Sequence, residues 1–172
     1  MKFKIIVIGL TFLSFFSNAQ SSDVTNHKLE QVIEDFRTSI IEHNNFEKFS
    51  NLFLHDSITW AAIFTNKSKE MVAKKMPDFV FTSSDYKTFY NNLADGSEEK
   101  FYNIKMDVRD QFATISFDYT LAVNSTVQNW GTEYWSLMLV NNSWKITSVT
   151  WSMNIEKVEK CPFVSEHYFK LQ

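Results

Sequence analysis

The stretch WGTEYWSLMLVNNSWKITSVTWSM, residues 130–153, decides how the rest of the chain is read. On both sides of Asn141-Asn142, large apolar side chains alternate with small or polar ones, which is the period of a β-strand with one buried face. Asn tolerates positive φ better than most residues, so the two asparagines predict a two-residue hairpin turn. A turn fixes register, and register fixes which side chains stand opposite one another. Leu139 is then expected to face Trp144, Leu137 to face Ile146, Trp135 to face Ser148, and Glu133 to face Thr150.

Working outward, Phe112 to Val123 reads as the preceding strand and Tyr102, Ile104, Met106 and Val108 mark another. A connection centred near Thr126 places Phe117 beside Trp135 and Tyr119 beside Glu133. Before Gly96 the period changes to helical. Leu29, Val32, Ile33, Phe36, Ile40 and Ile41 recur at the three-and-four spacing of a one-faced helix between Lys28 and His43. Phe46, Phe49, Leu52 and Phe53 suggest a second, short helix capped by Asn45. Ser57 to Phe64, with Trp60, reads as a strand. Ser68 to Met76 and Ser84 to Ala94 read as two further helices. Helices followed by an antiparallel meander predict an α+β fold, a curved antiparallel sheet wrapped around N-terminal helices.

The chain opens with Lys2 and Lys4, an apolar run from Ile5 to Phe16, and Ser17-Asn18-Ala19, the order of a cleavable secretory signal. The expected layout is a signal peptide over 1–19, a disordered lead-in over 20–27, one domain over 28–154 and a tail over 155–172. Export to a periplasmic or extracellular location follows. Loss of the leader leaves 15 Lys and Arg against 20 Asp and Glu, a mildly acidic −5 with no basic block. Nucleic acid and, after cleavage, membranes are therefore not expected partners. Cys161 is the only cysteine, so the fold has no intrachain disulfide to lean on. Seventeen Phe, six Tyr and five Trp against three Gly point to a core, or a pocket, walled by aromatic rings.

The predicted register divides the sheet into two faces. Ile115, Phe117, Tyr119, Leu121, Glu133, Trp135, Leu137, Leu139, Trp144, Ile146, Ser148 and Thr150 share the richer apolar face, so this one should pack on the helices. Glu133 is the only carboxylate expected there. A carboxylate facing an apolar interior costs several kcal/mol unless it is paired, hydrogen-bonded or neutralised. Tyr119, Glu133, Trp135, Ser148 and Thr150 thus form a candidate small-molecule site at the polar end of the inner face. On the opposite face Trp130, Tyr134, Val149, Trp151 and Met153 are expected to cluster, a surface suited to a homodimer or to cover by the C-terminal tail.

No other constellation carries chemistry. His27, His43, His55 and His167 fall on separate segments without ligand spacing, so no metal is expected. Gly9, Gly96 and Gly131 stand alone, and no phosphate-cradling loop or cofactor is expected. Asp56, at a helix-to-strand junction, suits a turn or capping role.

The order of elements resembles the nuclear transport factor 2-like superfamily, which includes SnoaL-like polyketide cyclases and ketosteroid isomerase. The residues that carry the resemblance are the opening helix with Phe36, the segment Phe49-x-x-Leu52-Phe53-x-x-Asp56 leading to Trp60, and Trp144-Lys145-Ile146 with Trp151-Ser152 after Trp130-Gly131. It implies a cone-shaped fold with a pocket between sheet and helices, commonly dimeric through the outer sheet face. It also implies functional spread, from isomerases and hydrolases to binding modules. Related closing strands often carry inward histidines where this chain has Ser148 and Thr150. Three functions follow as expectations: a binding module for a small, partly apolar ligand, an isomerase or hydrolase using an inward carboxylate, and an interaction module with a filled core.

Overall fold

The structure, a computed structural model, describes residues 16–163. The expected leader lies almost wholly outside these residues, as does the end of the tail. Four helices and six strands follow one another as α1 (Phe16–Glu42), α2 (Phe46–Ser50), β1 (Thr59–Phe64), α3 (Asn66–Ala73), β2 (Thr82–Ser83), α4 (Tyr86–Asn91), β3 (Ser97–Arg109), β4 (Phe112–Val123), β5 (Thr126–Val140) and β6 (Ser143–Ile155). The strands form one sheet in the order β2-β1-β6-β5-β4-β3. The late strands are the antiparallel meander that alternation predicts, and β1 joins the other edge of β6 in parallel. The architecture is therefore α+β with helices on one face of a curved sheet.

Helix α1 begins at Phe16 rather than Lys28, so the backbone over 20–27 is helical where a disordered lead-in is expected. Among its described side chains the first buried one is Leu29. From there Leu29, Val32, Ile33, Phe36 and Ile40 are buried, and the sheet receives them. Phe36 is the centre of the contact, with its ring 4.8 Å from Trp135 and 5.3 Å from Phe49. Helix α2 begins where Asn45 accepts a hydrogen bond from the Lys48 N–H at 2.9 Å, satisfying one of the free donors of the first turn. Asp85 does the same for α4 through Thr88. Asp56 has the junction role its position suggests. It accepts from the Tyr86 hydroxyl and from Lys87 Nζ, which tie α4 to the turn before β1.

Turns set which neighbours the strands meet, and bulges set which side chains face the helices. The β4–β5 turn is the two-residue Asn124-Ser125, both at positive φ, and Phe117 pairs with Glu133 instead of Trp135. This displacement is by two residues, so it changes neighbours but leaves every side chain on its expected face. The β5–β6 turn is Asn141-Asn142, also at positive φ, and Leu139 pairs with Trp144 and Leu137 with Ile146 as the turn predicts. Beyond that, one extra residue, Thr147, bulges out of β6, and its hydroxyl bonds the Ser136 carbonyl at 3.0 Å. Trp135 consequently pairs with Val149 and Glu133 with Trp151.

A slip of one residue exchanges faces. Ser148 and Thr150 lie on the outer face, and Val149 and Trp151, expected outside, lie on the inner one. A second bulge in β3, at Asn103 with φ 53°, reverses the phase of that strand in the same way. Met106 and Val108 face the core on one side of it, and Phe101 and Glu99 do so on the other.

Candidate functional site

The inner face has a filled end and an open end. At the filled end Phe36, Phe49, Phe53, Trp135, Leu137 and Ile146 are packed with almost no exposure. At the other, between α1, α4 and the sheet, is a cavity of about 200 Å³. Phe36, Trp60, Phe89, Val149, Trp151 and Met153 give it apolar walls, and Glu99, Tyr119, Asn129 and Glu133 supply the polar groups.

Each polar group is positioned by strand pairing. Glu133 is the inward residue of β5 opposite Phe117 on one side and Trp151 on the other. Its carboxyl accepts the Trp135 indole N–H at 2.5 Å. Glu99 stands inward on β3, opposite Leu121. Tyr119 lies between the two acids on β4, opposite Gly131, and its hydroxyl donates to the Ser152 carbonyl at 3.2 Å. Gly131 is required there because a Cβ would stand 2.0 Å from that same Ser152 oxygen. The close approach of the β6 backbone at this point carries Trp151 and Met153 to the cavity wall.

Electrostatics follow from burial. Glu99 is 4% and Glu133 5% exposed, and among the described residues no Lys, Arg or His lines the cavity. Loss of water penalises the charged form, so burial pushes the Glu133 carboxyl up to about 7, although the Trp135 N–H favours the ionised state. Burial, and then the neighbouring charge of Glu133, hold Glu99 well above the ordinary carboxylate range. Tyr119 is raised in turn by burial and by both acids, which keeps its phenol neutral. Glu99 Oε2 is buried without a hydrogen-bond partner among the described residues.

Of the residues the sequence singles out, Tyr119 and Glu133 line the cavity and Trp135 supports Glu133 from beneath. Ser148 and Thr150 do not belong to it, because the Thr147 bulge turns them outward. Glu133 is not the sole inward carboxylate. Glu99 escapes the sequence argument because Ser97-Glu98-Glu99-Lys100 reads as a polar approach to the strand; the signal is the alternation of Ser97, Glu99 and Phe101 once the Asn103 bulge is allowed for. Among the described residues no group of three or more His, Cys, Asp or Glu side chains is arranged to hold a metal.

On the outer face the C-terminal tail, one of the two covers expected there, reaches Trp130. Trp130 is covered, its indole N–H bonding the Glu159 carbonyl at 2.9 Å and its ring meeting Phe163 at 5.6 Å. The strip around Tyr134, Ile63, Val80 and Phe81 is exposed and flanks an open groove of about 560 Å³ that includes Thr150. That groove is larger than the inner cavity but among the described residues offers no ionisable group other than the Tyr134 phenol, so the acid pair makes the inner cavity the candidate site. No helix among the described residues is long and apolar enough to cross a membrane.

No protein-family model matches the chain, and no curated protein matches it by sequence. Solved structures do match. A Nostoc punctiforme protein of unknown function with a cystatin-like fold superimposes with a TM-score of 0.54 at 12% identity, covering 82% of this chain and 96% of the other. A candidate scytalone dehydratase from Novosphingobium aromaticivorans gives 0.56 at 14% identity, covering 80% and 89%. A candidate dehydratase of the nuclear transport factor 2-like family from Streptomyces avermitilis gives 0.55 at 11%, covering 78% and 99%. At such identities the likeness concerns the fold and not the chemistry. Helices on one face of a curved, mostly antiparallel sheet, together with these superpositions, establish that the chain has the nuclear transport factor 2-like, cystatin-like fold.

Proposed function

We propose that this is an exported protein that binds a small, partly apolar molecule in the inner cavity, with Glu99, Tyr119 and Glu133 as the polar contacts. Export rests on the leader pattern of residues 1–19. Binding rests on one observation: at the open end of an otherwise filled core, aromatic walls enclose about 200 Å³ and two buried carboxyls converge on it. A core built for stability alone would fill this space and would not bury two acids.

The test is native mass spectrometry of the protein purified from its own compartment, followed by tryptophan fluorescence titration with small probes, neutral ones such as phenol and charged ones such as choline. A retained mass that is lost in Glu133→Ala, or a saturable response to either kind of probe, is the expected result. No retained mass, and no response to any probe at millimolar concentration, overturns the reading. The same spectra report assembly. The exposed strip at Tyr134, Ile63 and Phe81 is the surface we assign to a second copy, and Tyr134→Glu is expected to shift a dimer to monomer.

One observation favours a second reading, proton transfer on the bound molecule. Glu133, at about 7, is positioned to exchange a proton near neutrality, and Glu99 keeps its own proton beside it, so the cavity holds a base and an acid at once. Turnover would then follow pH with a midpoint near that value and vanish in Glu133→Gln. Binding without turnover returns the site to the first reading.

A further inference from the structure

The chemistry of the cavity narrows the class of ligand, on the premise that the cavity is a binding site. Among the described residues no positive side chain answers its two carboxyls, so the empty site escapes the cost of burying charge only by keeping protons. Even so Glu99, whose side chain lines the cavity, leaves its buried Oε2 without a partner among the described residues. Such an oxygen costs free energy in the empty state and regains it when a donor or a positive charge arrives. Around the acids the walls are aromatic, with the rings of Trp60 and Trp151 5.5 Å apart and Phe89 5.2 Å from Trp60. A pair of acids within aromatic walls attracts positive charge twice, through the carboxylates and through the negative faces of the rings.

We propose that the cavity takes a small organic cation, a substituted ammonium, held between the Glu99 and Glu133 carboxyls and the aromatic walls contributed by Trp60 and Trp151. A divalent metal is a poorer occupant. Calcium and magnesium take about six or more oxygen ligands and zinc about four, usually with Cys or His among them, whereas here two carboxyls, a phenol and an amide face apolar rings. A carboxylate or phosphate ligand would add a third negative charge to a space that already resists two. The titratable groups facing the cavity are Glu99 from β3, Tyr119 from β4 and Glu133 from β5. Helices α1 and α4 and strands β1 and β6 contribute Phe36, Phe89, Trp60, Val149, Trp151 and Met153, none of which ionises. Entry of the cation therefore releases a carboxyl proton to solvent, and one positive charge replaces another.

The test is calorimetric titration with choline and with 3,3-dimethylbutan-1-ol, in which a carbon stands in place of the quaternary nitrogen. At about pH 8 choline is expected to bind at least about tenfold more tightly than the neutral isostere. Below the Glu133 value of about 7 its affinity falls about tenfold per pH unit. Below that same value its binding heat varies with the ionisation enthalpy of the buffer, the mark of a released proton. Glu99→Gln and Glu133→Gln, confirmed as folded by circular dichroism, each lower choline affinity about tenfold or more and leave the isostere unaffected. Equal binding of the two probes without pH dependence overturns the cation. So does binding of the isostere or of phenol where choline fails, and in both cases the cavity remains a binding site. Failure of every probe at millimolar concentration overturns the cation and the binding site together.

Discussion

The two ends of the inner face are built from the same strands and the same kinds of side chain, yet they are put to different uses. At the filled end Trp135 is 1% exposed, and Phe36, Phe101 and Phe117 surround it with ring centroids 4.8–6.3 Å away. At the open end Trp60, Phe89 and Trp151 make similar ring contacts but stop short of closing over Glu99 and Glu133. Aromatic residues thus supply stability where they meet one another and a container where they do not. The Trp135 indole joins the ends, being core by its ring and part of the site by its N–H.

The sharpest way to break the contrast is to empty the filled end. Trp135→Ala is expected to cost about 3–5 kcal/mol in urea unfolding. Phe89→Ala, which widens an existing space, should cost roughly half as much; equal losses would mean that the two ends do not differ. Next in size is the response to pH. A carboxyl whose value rises from 4.5 unfolded to about 7 folded keeps its proton in the native state while the unfolded chain loses it. Stability is therefore full below about pH 4.5, declines between there and about 7, and levels off above, a loss of about 3 kcal/mol for Glu133. Glu133→Gln should remove most of that slope and exceed the parent in stability at about pH 8. Melting curves across this range decide the matter, and a slope unchanged in the variant would place the acid in water.

A smaller effect tests the join between β5 and β6. Gly131→Ala sets a Cβ against the Ser152 carbonyl and should cost about 1–3 kcal/mol, with weaker probe binding because Trp151 and Met153 shift with that backbone. Smallest is Thr150→Ala on the outer face, expected within about 0.5 kcal/mol of the parent and without effect on the cavity. Loss of probe binding in that variant would return Thr150 to the site.

What could be read in the sequence divides along physical lines. The Asn141-Asn142 turn, the apolar stripe of α1 and the inward side of Glu133 were legible because each follows from a local rule, a backbone preference or a period. The register next to that turn was legible for the same reason, whereas the β4–β5 register was displaced by two residues. The bulges at Asn103 and Thr147 were not, since neither residue type announces an extra position and the pairing strand alone determines where it falls. Each bulge inverts the parity of what lies beyond it. The same omission therefore hid Glu99 on one strand and brought Ser148 and Thr150 wrongly inside on another. Cover of Trp130 by the C-terminal tail was one of two expectations for that face, and residues 159–163, having no period, gave no means of choosing it over a homodimer.

The Thr147 bulge also says how such a site could arise or be lost over evolutionary time. Substitutions alter one side chain at a time, whereas gain or loss of one codon at this point would trade Val149 and Trp151 for Ser148 and Thr150 along the end of β6. A lineage could in this way replace an oily wall with a hydroxyl-bearing one in a single step, leaving the helices and the other strands unaltered. Insertions and deletions, more than point changes, would then be the route by which relatives of this fold acquire new occupants.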